Sequence, residues 1–298
     1  MNNRANYFLM DVFTEKKFSG NPLAIFPKAE YIPEQFMPLI AKELNISETV
    51  FLFSKNKDGH YPMRIFTPGM ELPTAGHPTI GTAIFLSREI KHDTNRPLEI
   101  TLNQKIGQVK TKVYFNNNLP YFAEMKQLLP QFGPIYENRD QFAELINLHE
   151  TDLMDYPIQE VSCGVKYIFI PVKKLLSIQS IQFRMDIWNS IKSQLSGAFI
   201  YAFCPEAQDK GNDVHGRMFA PDAGILEDPA TGSANGPLGC YLIYYRLKKS
   251  PMKSEQGYEM GRPSLIHIDI DVEKEQNIIK VGIGGSSVFV GSGSILLD

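Results

Sequence analysis

Arg64-Ile65-Phe66-Thr67-Pro68 leads into Glu71-Leu72-Pro73-Thr74-Ala75-Gly76-His77-Pro78-Thr79-Ile80-Gly81, and the chain then repeats itself. In the second half Arg217-Met218-Phe219-Ala220-Pro221 leads into Glu227-Asp228-Pro229-Ala230-Thr231-Gly232-Ser233-Ala234-Asn235-Gly236. Each copy reads as a strand, a Pro-marked turn, a Gly-rich loop and an apolar helix. The copies differ where chemistry would sit, with His77 in one and Asp228 in the other. Matching bends with unlike polar groups point to a site between two similar halves.

Outward from this pair, the remaining pattern supports a duplication. Residues 6–13 and 21–27 read as strands around the turn Ser19-Gly20-Asn21-Pro22. Phe36, Leu39, Ile40 and Leu44 recur at helical spacing over 34–44, and strands are expected at 50–53 and 61–66. A helix at 78–88 and strands at 98–102 and 108–115 complete the first series. Asn116-Asn117-Asn118-Leu119-Pro120 reads as a linker, polar and turn-prone. A comparable series follows: strands at 121–126, 165–172, 198–204, 264–271 and 277–283, and helices at 139–147, 184–194 and 233–247. A two-copy repeat is not a solenoid. It predicts an N-terminal lobe of residues 1–118 plus about 287–298 and a C-terminal lobe of 119–286, the last strand crossing back to the first lobe.

Composition narrows the class. The chain has 298 residues, 43% hydrophobic and 21% charged, with a net charge of −3, which describes a globular protein large enough for two cores. Without a clustered basic run, nucleic acid is not an expected partner. No apolar run approaches the ~20 residues that span a bilayer, and residues 1–13 lack a signal-peptide layout. Three cysteines, Cys163, Cys204 and Cys240, are an odd number in a chain of this kind and read as reduced thiols in a cytoplasmic protein.

Each Gly-rich loop opens a helix, where free N–H groups and the helix dipole favour anions. Gly76 and Gly232 would admit a ligand close to the backbone, and Thr231 and Ser233 add hydroxyls. Either loop alone would usually be only a cap; the doubling makes a shared carboxylate site the better reading. No Lys follows the glycines as in a P-loop, and neither loop matches G-x-G-x-x-G. His77, at a helix start, is expected to be a neutral imidazole able to relay a proton. Asp228 is read either as a cap or as a site carboxylate, and Glu227 as its solvated neighbour. Glu48, in Leu44-Asn45-Ile46-Ser47-Glu48-Thr49-Val50, opens an apolar strand; if it faces the cleft, desolvation would raise its pKa into the range useful for proton transfer. The cysteines read as packing residues, and the histidines show no paired metal-ligand spacing.

Taken together, these residues resemble the PhzF family of phenazine-biosynthesis-like isomerases. The resemblance runs through Asp11-Val12-Phe13, Phe18-Ser19-Gly20-Asn21-Pro22-Leu23-Ala24, Ile46-Ser47-Glu48-Thr49, both Gly-rich signatures, Gln256-Gly257 and Gly261-Arg262-Pro263-Ser264. It implies a diaminopimelate epimerase-like α+β fold, in which two pseudo-symmetric domains each wrap a curved mixed sheet around a central helix and hold the substrate between them. The epimerase relatives use one cysteine per domain. At the corresponding loops this chain has Thr74-Ala75-Gly76-His77 and Asp228-Pro229-Ala230-Thr231, without either thiol, which argues against two-cysteine racemisation. The phenazine-type members imply a cofactor-free isomerase, with the catalytic Glu at Glu48, neighbouring polar groups at His77 and Asp228, and substrate-carboxylate contacts at Gly76, Gly232 and Ser233. The expectation is an isomerase moving a proton on a small carboxylate-bearing metabolite, without cofactor or metal, as a homodimer. Two alternatives stand beside it: an epimerase or racemase working through Glu48 and Asp228 on opposite substrate faces, and a non-catalytic binding protein on the same scaffold.

Overall fold

The structure is a computed structural model that describes residues 4–274 and 277–297. Up to residue 127 the chain forms β1 (Arg4–Val12), β2 (Asn21–Pro27), α1 (Met37–Leu44), β3 (Glu48–Leu52), β4 (Tyr61–Phe66), β5 (Glu71–Leu72), α2 (Gly76–Ser87), β6 (Leu98–Gln104), β7 (Gly107–Asn116) and β8 (Leu119–Gln127). Beyond it come β9 (Gln131–Tyr136), α3 (Arg139–Leu145), β10 (Ile158–Ser162), β11 (Lys166–Pro171), α4 (Leu175–Gln179), α5 (Met185–Ile191), β12 (Phe199–Cys204) and β13 (Val214–Ala220). The last elements are β14 (Ile225–Asp228), α6 (Gly232–Tyr244), β15 (Met252–Gln256), β16 (Ser264–Val272), β17 (Ile278–Gly285) and β18 (Ser287–Leu296).

The duplication is visible in the pairing. In the first series β2 and β3 are parallel, β3 and β4 antiparallel, β4 and β6 parallel, and β6, β7 and β8 antiparallel. In the second, β11 and β12 are parallel, β12 and β13 antiparallel, β13 and β15 parallel, and β15, β16 and β17 antiparallel. The hairpin strands β5 and β14 each lie antiparallel on their signature strand, β4 and β13. Antiparallel pairing of β8 with β17 joins the two series, Ile283 opposite Met125. At the outer ends β18 covers β1 and β9 covers β10.

Each series surrounds a helix. All twelve residues of α2 are buried, as an apolar helix without a polar face must be. It packs on β1, β2, β3, β6, β7 and β8, with Ile80 and Ile84 in a core shared with Val12, Leu23, Val50 and Leu102. Burying each such aliphatic side chain contributes about 1.5–3 kcal/mol before entropy is counted. The helix α6 is the counterpart, with Leu238 and Leu242 against Phe169, Tyr201 and Ile268. Smaller helices cover the outer faces, α1 over Phe26 and Phe51 and α3 to α5 over Ile168, Ile170 and Ile200.

Several boundaries differ from the sequence reading. The polar stretch at 116–120 is a two-residue hairpin rather than a linker: Asn116 pairs with Leu119, and Asn117 and Asn118 take left-handed φ of 49° and 62°. Asparagine tolerates that conformation, which matches the twist of the flanking strands. Residues 34–36 and 192–194 are 3₁₀ turns flanking α1 and α5 rather than parts of those helices. Strands β9, β10, β14 and β15 were not anticipated. In β9, Gly133 and Pro134 break the pattern, which an edge strand tolerates; β10 and β15 carry Gln159, Glu160, Ser254, Glu255 and Gln256, polar yet buried.

Candidate active site

Helices α2 and α6 meet at their first residues. A Cβ placed on Gly76 would lie 2.5 Å from Gly232 Cα, and one on Gly232 would lie 2.9 Å from Gly76 Cα and 2.8 Å from the Phe13 ring. Only glycine permits this approach. No side chain caps either helix start, and although the Ala234 N–H turns back to the Thr231 carbonyl at 3.1 Å, two positive dipole ends share one region.

His77 follows Gly76 on α2, and Glu48 opens β3, held in register opposite Leu23 of β2. His77 is 2% and Glu48 7% exposed. His77 Nε2 and Glu48 Oε2 lie 3.0 Å apart. The contact is close but off-axis, and neither atom completes a hydrogen bond. Burial pushes the His77 pKa down to about 3, so the imidazole is neutral at physiological pH. Burial raises Glu48 well above the ordinary carboxylate range, and the charge of Asp228 raises it further.

Asp228 ends β14 on the opposite side. Burial lifts its pKa to about 6 against the opposing effect of hydrogen bonds from Thr231, Asn21 and Ser47, with Glu227 adding repulsion. Asn21 Nδ2 donates to Asp228 Oδ1 at 2.7 Å and Thr231 Oγ1 donates to Oδ2 at 2.5 Å. Gln256 braces the loop behind: its Nε2 donates to the Asp228 carbonyl at 2.6 Å, and its Oε1 accepts from the Thr231 N–H at 3.1 Å. Ser233 Oγ lies 2.7 Å from Tyr167 OH. The structure thus brings all seven residues singled out in the sequence into one region.

Glu227 is not a solvated neighbour. Arg217 grips it with Nε and Nη2, both at 2.8 Å. Arg64 grips Glu71 in the same way in the first copy, at 2.8 and 3.1 Å. The repeated Arg and Glu staple the hairpin that delivers each glycine loop; bidentate pairing is the geometry arginine suits best.

A pocket of about 300 Å³ opens onto the helix starts, walled by Gly76, Ser233, Thr74, Cys163, Val165 and Gln127 among others. Cys163, read as packing, thus also forms part of a pocket wall. Asn21, Tyr167 and Gln256 went unnoticed as site residues. Asn21 and Gln256 sit within quoted motifs, but their partners lie up to 209 residues away, and Tyr167 carries no signal beyond a strand pattern.

Comparison with known proteins accords with this geometry. A family model described as phenazine biosynthesis-like protein matches residues 10–293. The chain is 34% identical to an uncharacterised isomerase of Clostridium acetobutylicum, over 98% of each chain. It is 32% identical to trans-2,3-dihydro-3-hydroxyanthranilate isomerase of Pseudomonas fluorescens, over 98% of this chain and 99% of that one. The crystal structure of a Bacillus anthracis phenazine biosynthesis protein of the PhzF family superimposes with a TM-score of 0.88 at 29% identity, covering 98% of this chain and 99% of that chain. The fold is therefore the diaminopimelate epimerase-like α+β arrangement that the resemblance implied.

Proposed function

The chain belongs to the phenazine biosynthesis-like (PhzF) family, whose named relatives here are isomerases, and from this we propose a cofactor-independent isomerase that moves a proton on a small carboxylate-bearing metabolite. One observation carries the reading. A buried carboxylate of raised pKa, Glu48, lies 3.0 Å from a neutral buried imidazole, beside two helix starts that abut at glycine.

In this reading the substrate carboxylate takes the N–H groups at Gly76 and Gly232 and the hydroxyl of Ser233, with Thr231 ordering the loop. Glu48 removes a proton from carbon, becomes the neutral acid, and returns the proton at another carbon of the same unsaturated system. The proton is conserved and the double bond shifts. His77, neutral, and Asp228 orient the substrate and steady the moving charge. The reading extends to a homodimer in the cytoplasm; no helix among the described residues is long and apolar enough to cross a membrane.

The test is incubation in deuterated water, starting with the substrate named for the Pseudomonas fluorescens relative and continuing through small cyclic amino and hydroxy acids. Deuterium at a new carbon with a displaced double bond supports isomerisation. Deuterium at an inverted α-carbon would replace it with epimerisation between Glu48 and Asp228. Absence of exchange with any compound that thermally stabilises the protein would leave a binding protein.

A further inference from the structure

The quoted motifs outside the two signatures converge at one place behind the cleft. Residues 19–21 lie in the first half of the chain, and residues of the second half grip them from two sides. On one side, Arg262 Nε donates to the Gly20 carbonyl at 2.7 Å, and Arg262 Nη2 donates to Asp11 Oδ1 at 2.6 Å and to the Ser19 carbonyl at 3.0 Å. The Gly20 N–H donates to the Pro263 carbonyl at 3.1 Å, and Asp11 Oδ2 accepts the Phe18 N–H at 2.7 Å. On the other side, the fully buried Asn21 amide donates to Asp228 Oδ1 at 2.7 Å and to the Ala230 carbonyl at 2.9 Å. Both of its N–H bonds are thus spent on acceptors of the other half, which fixes which way the amide points.

Asn21 also begins β2, and two residues later Leu23 lies opposite Glu48. One short segment therefore sets the position of both carboxylates. We propose that Asn21 is a positioning residue of the cleft, holding Asp228 in its orientation opposite Glu48 from across the boundary between the two halves, with Arg262 and Asp11 as the clasp that holds Asn21 in place. The second copy has Val165 near the matching point of its own strand, so the device is one-sided, like the acid groups it serves. Its part in turnover rests on the isomerase reading above; the control of Asp228 does not.

Besides Asn21, Thr231 and Ser47 donate hydrogen bonds to Asp228 and Glu227 on its own strand repels it; the Asp228 charge in turn bears on Glu48 of β3, Tyr167 of β11 and Tyr201 of β12. Loss of the Asn21 donor, with these unchanged, disfavours the carboxylate form. The experiment is ¹³C titration of side-chain carboxyls in wild type and Asn21→Leu, with Asp228→Asn assigning the signal. Asp228 is expected to titrate higher in Asn21→Leu by about one unit, the scale of one charge-assisted hydrogen bond. With an active substrate in hand, kcat should fall about tenfold with KM within about twofold, and the acid limb of the pH–rate profile should rise with the titration. An unshifted Asp228 in folded Asn21→Leu overturns the proposal. Should that variant not fold, Arg262→Met loosens the clasp while leaving the amide, and an unshifted Asp228 there overturns it equally. A shifted Asp228 in a protein that turns over no tested compound would sustain this inference and count against the isomerase reading.

Discussion

Glu48 is a carboxylate placed where the fold gains nothing from it. Its folded-state pKa lies above the unfolded value of about 4.5. Whatever stability it contributes is therefore fully present below that value and is lost as pH rises through the folded one. Glu48→Gln is expected to melt higher than wild type at pH 7, with the gap closing by pH 4, where both states are protonated; scanning calorimetry at the two pH values checks this. Each ~1 kcal/mol is roughly 2 °C in a protein this large. The same variant is expected to lose about 10²–10⁴ of the rate, the opposition between stability and activity common at active sites. His77, pushed down to about 3 by burial, adds no titration near pH 6.5. His77→Asn should thus slow turnover by roughly tenfold or more while keeping the ascending limb that the proposal assigns to Glu48 and Asp228; a limb that vanished with His77 would reassign it.

Among the elements, α2 and α6 were legible because an apolar helix opening on a glycine leaves a plain period and a plain start. Strands β10 and β15 were not. Glu255 is fully buried because His215 Nδ1 meets its Oε1 at 2.8 Å, while Glu259 takes His215 Nε2 at 3.0 Å. Burial alone would lower the His215 pKa, but the two carboxylates outweigh it and hold it at about 9. A buried ion cluster reads as loop in any scheme that expects charge outside. The next residue, Gln256, points the other way and braces the Asp228 loop, so β15 serves two polar clusters from its two faces. Two substitutions test the element reading in opposite directions. Asn118→Gly, at φ 62° in the β7–β8 hairpin, is expected to stabilise by roughly 0.5–1 kcal/mol in urea unfolding. Gly76→Ala puts a methyl 2.5 Å from backbone that cannot swing aside, and is expected to lower the melting temperature by several degrees and abolish stabilisation by small carboxylates.

At the scale of the whole molecule the repeat was readable and the way its halves interlock was not. The signatures announced two similar units, since duplication preserves local spacing. The Arg262 to Asp11 bridge spans 251 residues, and no local pattern reports such a pair. The outer end of the first series depends on β18, which runs along β1 from Arg4 opposite Leu296 to Val12 opposite Ser287. Deleting residues 287–298 would leave β1 as a bare edge, and the truncated chain is expected in the insoluble fraction on expression; a soluble, cooperatively melting product would contradict this. The abutting glycines have a consequence for divergence. A grip made of peptide groups does not depend on the side chains around it, while the two glycines themselves admit no larger residue. On the proposed reading, descendants of this scaffold exchange one acid for another by redecorating the surrounding walls, Ile106, Leu128 and Val165 among them, while the two glycines stay fixed.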